Sequence, residues 1–223
     1  MPAPDDAQPL MPHQIQDLPS IKWNYERGTI DDLPGLDPGA HAAISAALHD
    51  YVWNKAGNLD TARLAEPHVN AALRGSAEVT PQHAATIELL DQALVLSRIN
   101  RPITVYRGFG DGRFALPDDW QTRDLTGLTW TDRAYISTSV DRDAAEVYTG
   151  GEAVRGFAAR IHLPAGTPAI AIRDQPGGLD EEGEIMLPRG LGFRVTRDFG
   201  RQGEYGIRWL DLEIAAWPGA LPE

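Results

Sequence analysis

The chain contains no cysteine, only three methionines and no apolar run of 18 residues. Without thiols it carries no disulfide framework, no thiolate metal site and no cysteine nucleophile. Without a long apolar run there is no candidate transmembrane helix. The opening MPAPDDAQPLMPHQ lacks the basic patch and apolar core of a signal peptide. Positive charge is scarce as well: 20 Lys and Arg stand against 32 Asp and Glu, a formal net charge of −12. That balance argues against a grip on nucleic-acid backbones and against an anionic membrane surface. It leaves room for a small anion, because a few arginines in a cleft outweigh the global field locally. The expectation is a soluble protein that binds neither nucleic acid nor membrane.

Metal-ligand patterns are missing too. The six histidines, His13, His41, His49, His68, His83 and His162, show no HExxH and no paired spacing, so no metal is predicted. Asp141 and Asp143 in VDRD lack the remaining ligands of a calcium loop and read as a helix N-cap region.

What is present is enough apolar residue, 42% of 223, to build a core. Residues 1–30 read as a flexible lead-in, the first twenty rich in Pro, Asp and Gln, and 31–223 as one domain. HAAISAALHDYVWN after Pro38 predicts a helix, and TARLAEPHVNAALR (61–74) a second one broken or kinked at Pro67. TPQHAATIELLDQALVLSRI (80–99) is the clearest helix. Thr80 is its N-cap, Pro81 its first residue, and Ile87, Leu90, Leu94 and Ile99 share a face. After Pro102 the texture changes to short strands: TVYRG (104–108), AYISTS (134–139), GFAARIHL (156–163), AIAI (169–172), GEIML (183–187), FRVTR (193–197) and IRWLDLEIAAW (207–217). Helices followed by strands predict an α+β fold with a largely antiparallel sheet system.

Three stretches carry possible chemistry. Arg107 ends an apolar strand and precedes Gly108. It either caps the strand at the surface or reaches into a cleft to grip a phosphate. The following GFGDGR matches neither a P-loop nor GxGxxG. In YISTSV the period of two puts Ser137 and Ser139 on one face and Thr138 on the other, as an edge-strand pattern or as support for a catalytic group. In EEGEIMLPRG, Glu182 and Glu184 fall on one face of a strand about 7 Å apart, with Ile185 and Leu187 opposite. Paired carboxylates at that range are costly when buried, yet gatekeeping charges at a strand start produce the same pattern.

Taken in order, VYRG (105–108), YISTS (135–139) and EGEIMLPRG (182–190) resemble the three signatures of the R-S-E class of ADP-ribosyltransferases. VNAALR (69–74) and the helix after it are similar to the helical half of bacterial ADP-ribosylating exoenzymes and of binary-toxin enzymatic components, so the likeness covers roughly residues 40–217. The resemblance implies two roughly perpendicular antiparallel sheets around an NAD cleft, with helices at the N-terminal side. NAD is then the co-substrate. By the family pattern Glu184 would steady the oxocarbenium-like transition state, Ser137 would orient Glu184, and Arg107 would pair with NAD phosphate. Gly108 would lie near the nicotinamide amide, and Thr138 and Ser139 would join the cofactor contacts. Asn70 and Arg74 would contribute from the helical side, and Tyr148 or Phe157 would line the nicotinamide pocket.

In the class this chain resembles, a Glu at the place of Glu182, two residues before Glu184, accompanies arginine as acceptor; a carboxylate there can bind a guanidinium and take its proton during attack. The family often has an aromatic residue five positions before the catalytic acid, where this chain has Leu179. The implied partners are a target protein presenting an arginine and an antitoxin or immunity protein, with the enzyme itself a monomer. Delivery or injection as an effector is the expected setting, with the cytoplasm as the other. NAD glycohydrolysis and a catalytically silent binding module of the same fold stand as alternatives.

Overall fold

The computed structural model describes residues 21–24, 29–31, 36–55, 69–110, 116–149, 156–173 and 183–217. Helix α1 (Pro38–Lys55) starts where the Asp37 carboxylate accepts the main-chain N–H groups of Gly39 and Ala40, at 2.9 and 3.0 Å. It buries Ile44, Leu48, Tyr51 and Val52. Helix α2 is a single short piece, Val69–Leu73; the stretch before it lies outside the described residues. Helix α3 (Pro81–Leu96) has the expected Thr80 cap, whose hydroxyl accepts from His83 N while Thr80 N donates to His83 Nδ1. The helix ends at Leu96, so Ile99 is buried from the loop beyond it rather than from the helix face.

Among the described residues, ten strands follow one hydrogen-bonded order. They are β1 (Ile21–Asn24), β2 (Thr29–Asp31), β3 (Ile103–Phe109), β4 (Thr129–Asp132), β5 (Ile136–Ser139), β6 (Phe157–Leu163), β7 (Ile170–Arg173), β8 (Glu184–Leu187), β9 (Leu191–Gln202) and β10 (Ile207–Ala216). Their order is β2-β1-β7-β8-β5-β3-β6-β10-β9-β4. Two neighbouring pairs, β1 with β7 and β6 with β10, run parallel, and the others are antiparallel.

The expected division into two sheets survives as a seam. β3 and β6 pair through seven residues and β5 and β8 through four, but β3 and β5 meet only at Tyr106 opposite Ser139. Half-sheets on either side are joined by one residue pair. Alternation in sequence marks a strand such as β6, but it carries no information on whether strands still bond across such a seam.

Two further expectations change. Strands β1 and β2 fall at the end of the stretch read as lead-in; β1 pairs with β7, and β2 outside it ends the sheet. Four- and three-residue strands are too short to show an alternation signal. The opening residues 1–20 lie outside the described residues. Second, strand β5 starts at Ile136; Ala134 and Tyr135 precede it and are fully buried.

Two apolar clusters cover opposite faces of the β8 region. The larger one lies between the strands and includes Val105, Phe109, Phe157, Ile185, Leu187 and Phe193. The second sits under the helices and includes Leu48, Tyr51, Leu90, Tyr135, Ile170 and Met186. All four β8 residues, Glu184 to Leu187, are therefore buried. Each large apolar side chain buried this way contributes about 1.5–3 kcal/mol. Polar ties hold the helices down. Arg189 makes a forked contact to Asp91 of α3, with Nη2 to Oδ2 at 2.7 Å, and the Tyr135 hydroxyl reaches Asp91 Oδ1 at 2.7 Å.

Candidate active site

The seam between β3 and β5 opens a cleft with about 590 Å³ of atom-free space, part of it open to solvent. It is lined by Tyr106, Arg107 and Gly108 of β3, Ser137, Thr138 and Ser139 of β5, Ala145 and Tyr148 at the end of α4 (Arg142–Val147), and Glu184 of β8. A split in the sheet exposes strand ends that elsewhere would be paired, so the cleft and the seam have one cause.

Register sets which groups share a face. Ser139 stands directly opposite Glu184, and Ser137 opposite Met186, across the antiparallel β5–β8 pair. Opposed side chains lie on one face with Cβ atoms about 4.5–5.5 Å apart, and diagonal neighbours remain within reach of longer side chains. Ser137, Ser139 and Glu184 therefore sit together on the face that carries Met186 and the helices. Thr138 points to the other face, where its hydroxyl donates to the Ile185 carbonyl at 2.7 Å. Glu184 is only 7% exposed, so its carboxylate works in a largely dry environment, where electrostatic interactions strengthen.

The strand reading of EEGEIMLPRG holds only from Glu184 onward. Gly183 has φ +53°, in the left-handed region rather than the extended one, so side-chain alternation does not run back through it. Glu182 itself lies outside the described residues, as do Leu179 and Glu181.

Arg107 is held within the seam. One Nη1 hydrogen bond, 2.5 Å long, reaches the Ser137 carbonyl, and the guanidinium lies 4.9 Å from the Phe109 ring centre. Its Nε is shut off from solvent and has no hydrogen-bond partner among the described residues. Buried donors are almost always bonded, so this one invites an acceptor. Burial pushes the Arg107 guanidinium below the usual arginine value, with help from the Arg74 charge and against the pull of Asp132, Tyr51 and Glu184.

Gly108 has a packing reason for being glycine. A Cβ there would lie 2.1 Å from the Ala145 carbonyl oxygen and 2.8 Å from Tyr148. The bare glycine lets the end of α4 close on β3, which brings Tyr148 to the cleft. Asp141 caps this helix, accepting Asp143 N at 2.9 Å. Tyr148 is 47% exposed at the lip, whereas Phe157 is fully buried and stacked on Phe109 at 4.4 Å.

Asn70 and Arg74 are not among the cleft-lining residues. Arg74 forms a fork to Asp132, with Nε–Oδ1 at 3.1 Å and Nη2–Oδ2 at 2.9 Å. Asn70 grips the main chain of Tyr135, accepting its N–H at 3.0 Å and donating to its carbonyl at 3.1 Å. Both helical residues are thus tied to the segment that leads into β5. Sequence reasoning missed Tyr106 and Ala145 as cleft walls and Asp132 as the partner of Arg74. Only Tyr106, inside VYRG, lay within a stretch that had drawn notice.

Comparison with known proteins follows the same lines. Residues 63–202 match the family model of the ADP-ribosyltransferase exoenzymes. Among solved structures, the enzymatic component C2-I of the C2 toxin from Clostridium botulinum is 20% identical at TM-score 0.53. It aligns over 82% of this chain and 48% of its own. Plx2a, an ADP-ribosyltransferase toxin from Paenibacillus larvae, is 18% identical at TM-score 0.53, over 80% of this chain and 97% of its own. The ADP-ribosylating toxin BECa of a binary enterotoxin of C. perfringens, solved with NADH, is 19% identical at TM-score 0.54, over 78% and 43%. The chain therefore spans about half the length of C2-I and nearly all of Plx2a. No curated protein matches it. At these identities the structural likeness is one of fold, and the family rests on the sequence match over residues 63–202. On that match, the chain belongs to the ADP-ribosyltransferase exoenzyme family.

Proposed function

We propose that this chain is a mono-ADP-ribosyltransferase that moves ADP-ribose from NAD to an arginine of a target protein. The observation that carries the reading is the meeting of Arg107, Ser137 and Glu184, from three strands, on one cleft at the sheet seam. The residues fit NAD as substrate. The Arg107 guanidinium on the cleft wall supplies a donor for a phosphate oxygen, and Glu184 supplies one buried negative charge.

In the reaction the bond between the nicotinamide nitrogen and ribose C1′ breaks, and nicotinamide leaves with the bonding electrons. Positive charge develops on the ribose, and the Glu184 carboxylate steadies it while accepting a hydrogen bond from the 2′-hydroxyl. Ser137 keeps that carboxylate in place. A guanidinium nitrogen of the target then bonds to C1′ and gives up its proton to the Glu182 carboxylate, which the motif places two residues upstream. Arg107 binds the diphosphate, and Tyr148 at the lip covers the nicotinamide end. Thr138 and Ser139 complete the wall, with Asn70 and Arg74 supporting the segment ahead of β5.

Labelled NAD, candidate lysates and mass-spectrometric mapping of the modified residue test the reading. Glu184→Gln should cost about 10²–10³ or more in turnover. Glu182→Gln should abolish arginine labelling and leave NAD hydrolysis. Modification mapped to a residue other than arginine would remove the acceptor assignment, and NAD destruction without any labelled protein would make the enzyme a glycohydrolase.

A further inference from the structure

Between the helices and Ser137 runs a chain of hydrogen bonds. Asn70 Oδ1 accepts the Tyr135 N–H at 3.0 Å. Only the oxygen of an amide side chain can accept from a main-chain N–H, so this contact fixes which end of Asn70 is which. The nitrogen end then donates to the Tyr51 hydroxyl at 3.2 Å as well as to the Tyr135 carbonyl. With one lone pair of its hydroxyl engaged by Asn70, Tyr51 lies 3.1 Å from Ser137 Oγ, where either hydroxyl can be the donor. Tyr51 is 1% exposed, and its ring meets Tyr135 edge-on at 5.8 Å. Ser137 is thus gripped twice, at its carbonyl by Arg107 and at its hydroxyl by Tyr51.

We infer that Tyr51 is a positioning residue for Ser137, donating to its Oγ under the direction of Asn70, so that the serine hydrogen is turned toward Glu184. The inference rests on the reading of Glu184 as the carboxylate that steadies the ribose cation. Ser137 lies diagonal to Glu184 on the same face of the β5–β8 pair. A serine hydroxyl whose oxygen already accepts from Tyr51 has one hydrogen to place, and Glu184 is the anionic acceptor in the cleft. No bond to hydrogen breaks. The chain orients donors and leaves every proton where it was.

Two measurements test this. Infrared difference spectra of ring-labelled tyrosine protein, wild type minus Tyr51→Phe, isolate the Tyr51 C–O stretch, whose position distinguishes a donating from a purely accepting hydroxyl. The expected band is that of a donor, and it shifts in Ser137→Ala. An accepting band, or one unmoved by Ser137→Ala, overturns the inference. In turnover, Tyr51→Phe keeps the ring and should lower kcat about five- to tenfold with KM for NAD within about twofold. In a Ser137→Ala background the same change should cost nothing more, whereas an equal loss in both backgrounds would show a merely structural role. If Tyr51→Phe does not fold, the labelled difference spectrum of wild type minus Asn70→Asp, a change that keeps the acceptor and loses the donor, must show a shifted tyrosine C–O stretch, and a flat difference overturns the inference. A wild type that consumes no NAD would sink the functional reading instead, and the infrared band alone would then decide the donation to Ser137.

Discussion

Arg107 of β3 donates to the main-chain oxygen of Ser137 of β5 at 2.5 Å, beside the single residue pair that joins these strands. The bond substitutes for part of the missing ladder, so one guanidinium both closes the seam and faces the cleft. A lysine gathers its three donors on one nitrogen and lacks the planar fork that spreads them between the carbonyl and the cleft. Arg107→Lys should lower kcat/KM for NAD by about 10² or more and cost about 1–2 kcal/mol of stability. NAD turnover and thermal melts on the same preparation check both effects.

Gly108→Ala tests the contact between α4 and β3. The added Cβ would meet the Ala145 carbonyl oxygen, a main-chain atom that moves only with the helix. The expected cost is about 1–3 kcal/mol, as for other overpacked positions. KM for NAD should rise, because Tyr148 shifts with the helix end. Denaturant unfolding and an NAD titration measure the two effects.

Arg74→Ala separates support from direct binding. Asp132 is 1% exposed and would lose its forked partner, keeping one hydrogen bond from Ala134 N at 3.0 Å. Breaking a buried pair costs about 3–5 kcal/mol, and less here because the Arg74 side chain is 27% exposed. A fall of about 2–3 kcal/mol in unfolding free energy is expected. A variant of unchanged stability whose KM for NAD rises would place Arg74 on the ligand instead.

Asp198 and Arg208 form a buried ion pair, and Arg208 also donates to the main-chain oxygens of Trp120 and Arg123. Burial pushes the Asp198 carboxyl up, but donation from Arg208, Gly200 N and Leu125 N outweighs it and holds the group below its ordinary value. A depressed folded pKa adds stability that is present above the unfolded value of about 3.9 and is lost as pH falls through the folded one. Asp198→Asn should cost about 3–5 kcal/mol at pH 7 by leaving Arg208 unpaired. The gap to wild type should narrow below about pH 4, which chemical denaturation across a pH series would show.

Legibility differed from residue to residue. The Thr80–Pro81 start of α3 and the alternation of Phe157, Ala159, Ile161 and Leu163 were readable because both are local rules of capping and pleat. Arg107, Ser137 and Glu184 could be picked out as residue types in order. The left-handed Gly183 was hidden inside what looked like a continuous strand, since glycine itself does not state its φ. The cover over Met186 was equally hidden, because strand alternation says nothing about what packs on the second face.

Sequence was enough for the succession of helices then strands, the residue types available for chemistry and the formal net charge of −12. Those follow from propensity, periodicity and charge, which act over a few residues or need only a sum. Tertiary structure alone decided that β3 and β5 meet at one pair, that Arg74 is tied to Asp132 58 residues away in the chain, and that Tyr51 reaches Ser137 across 86. Contacts between distant segments depend on how the whole sheet closes. No local rule encodes that closure, and the cleft exists because of it.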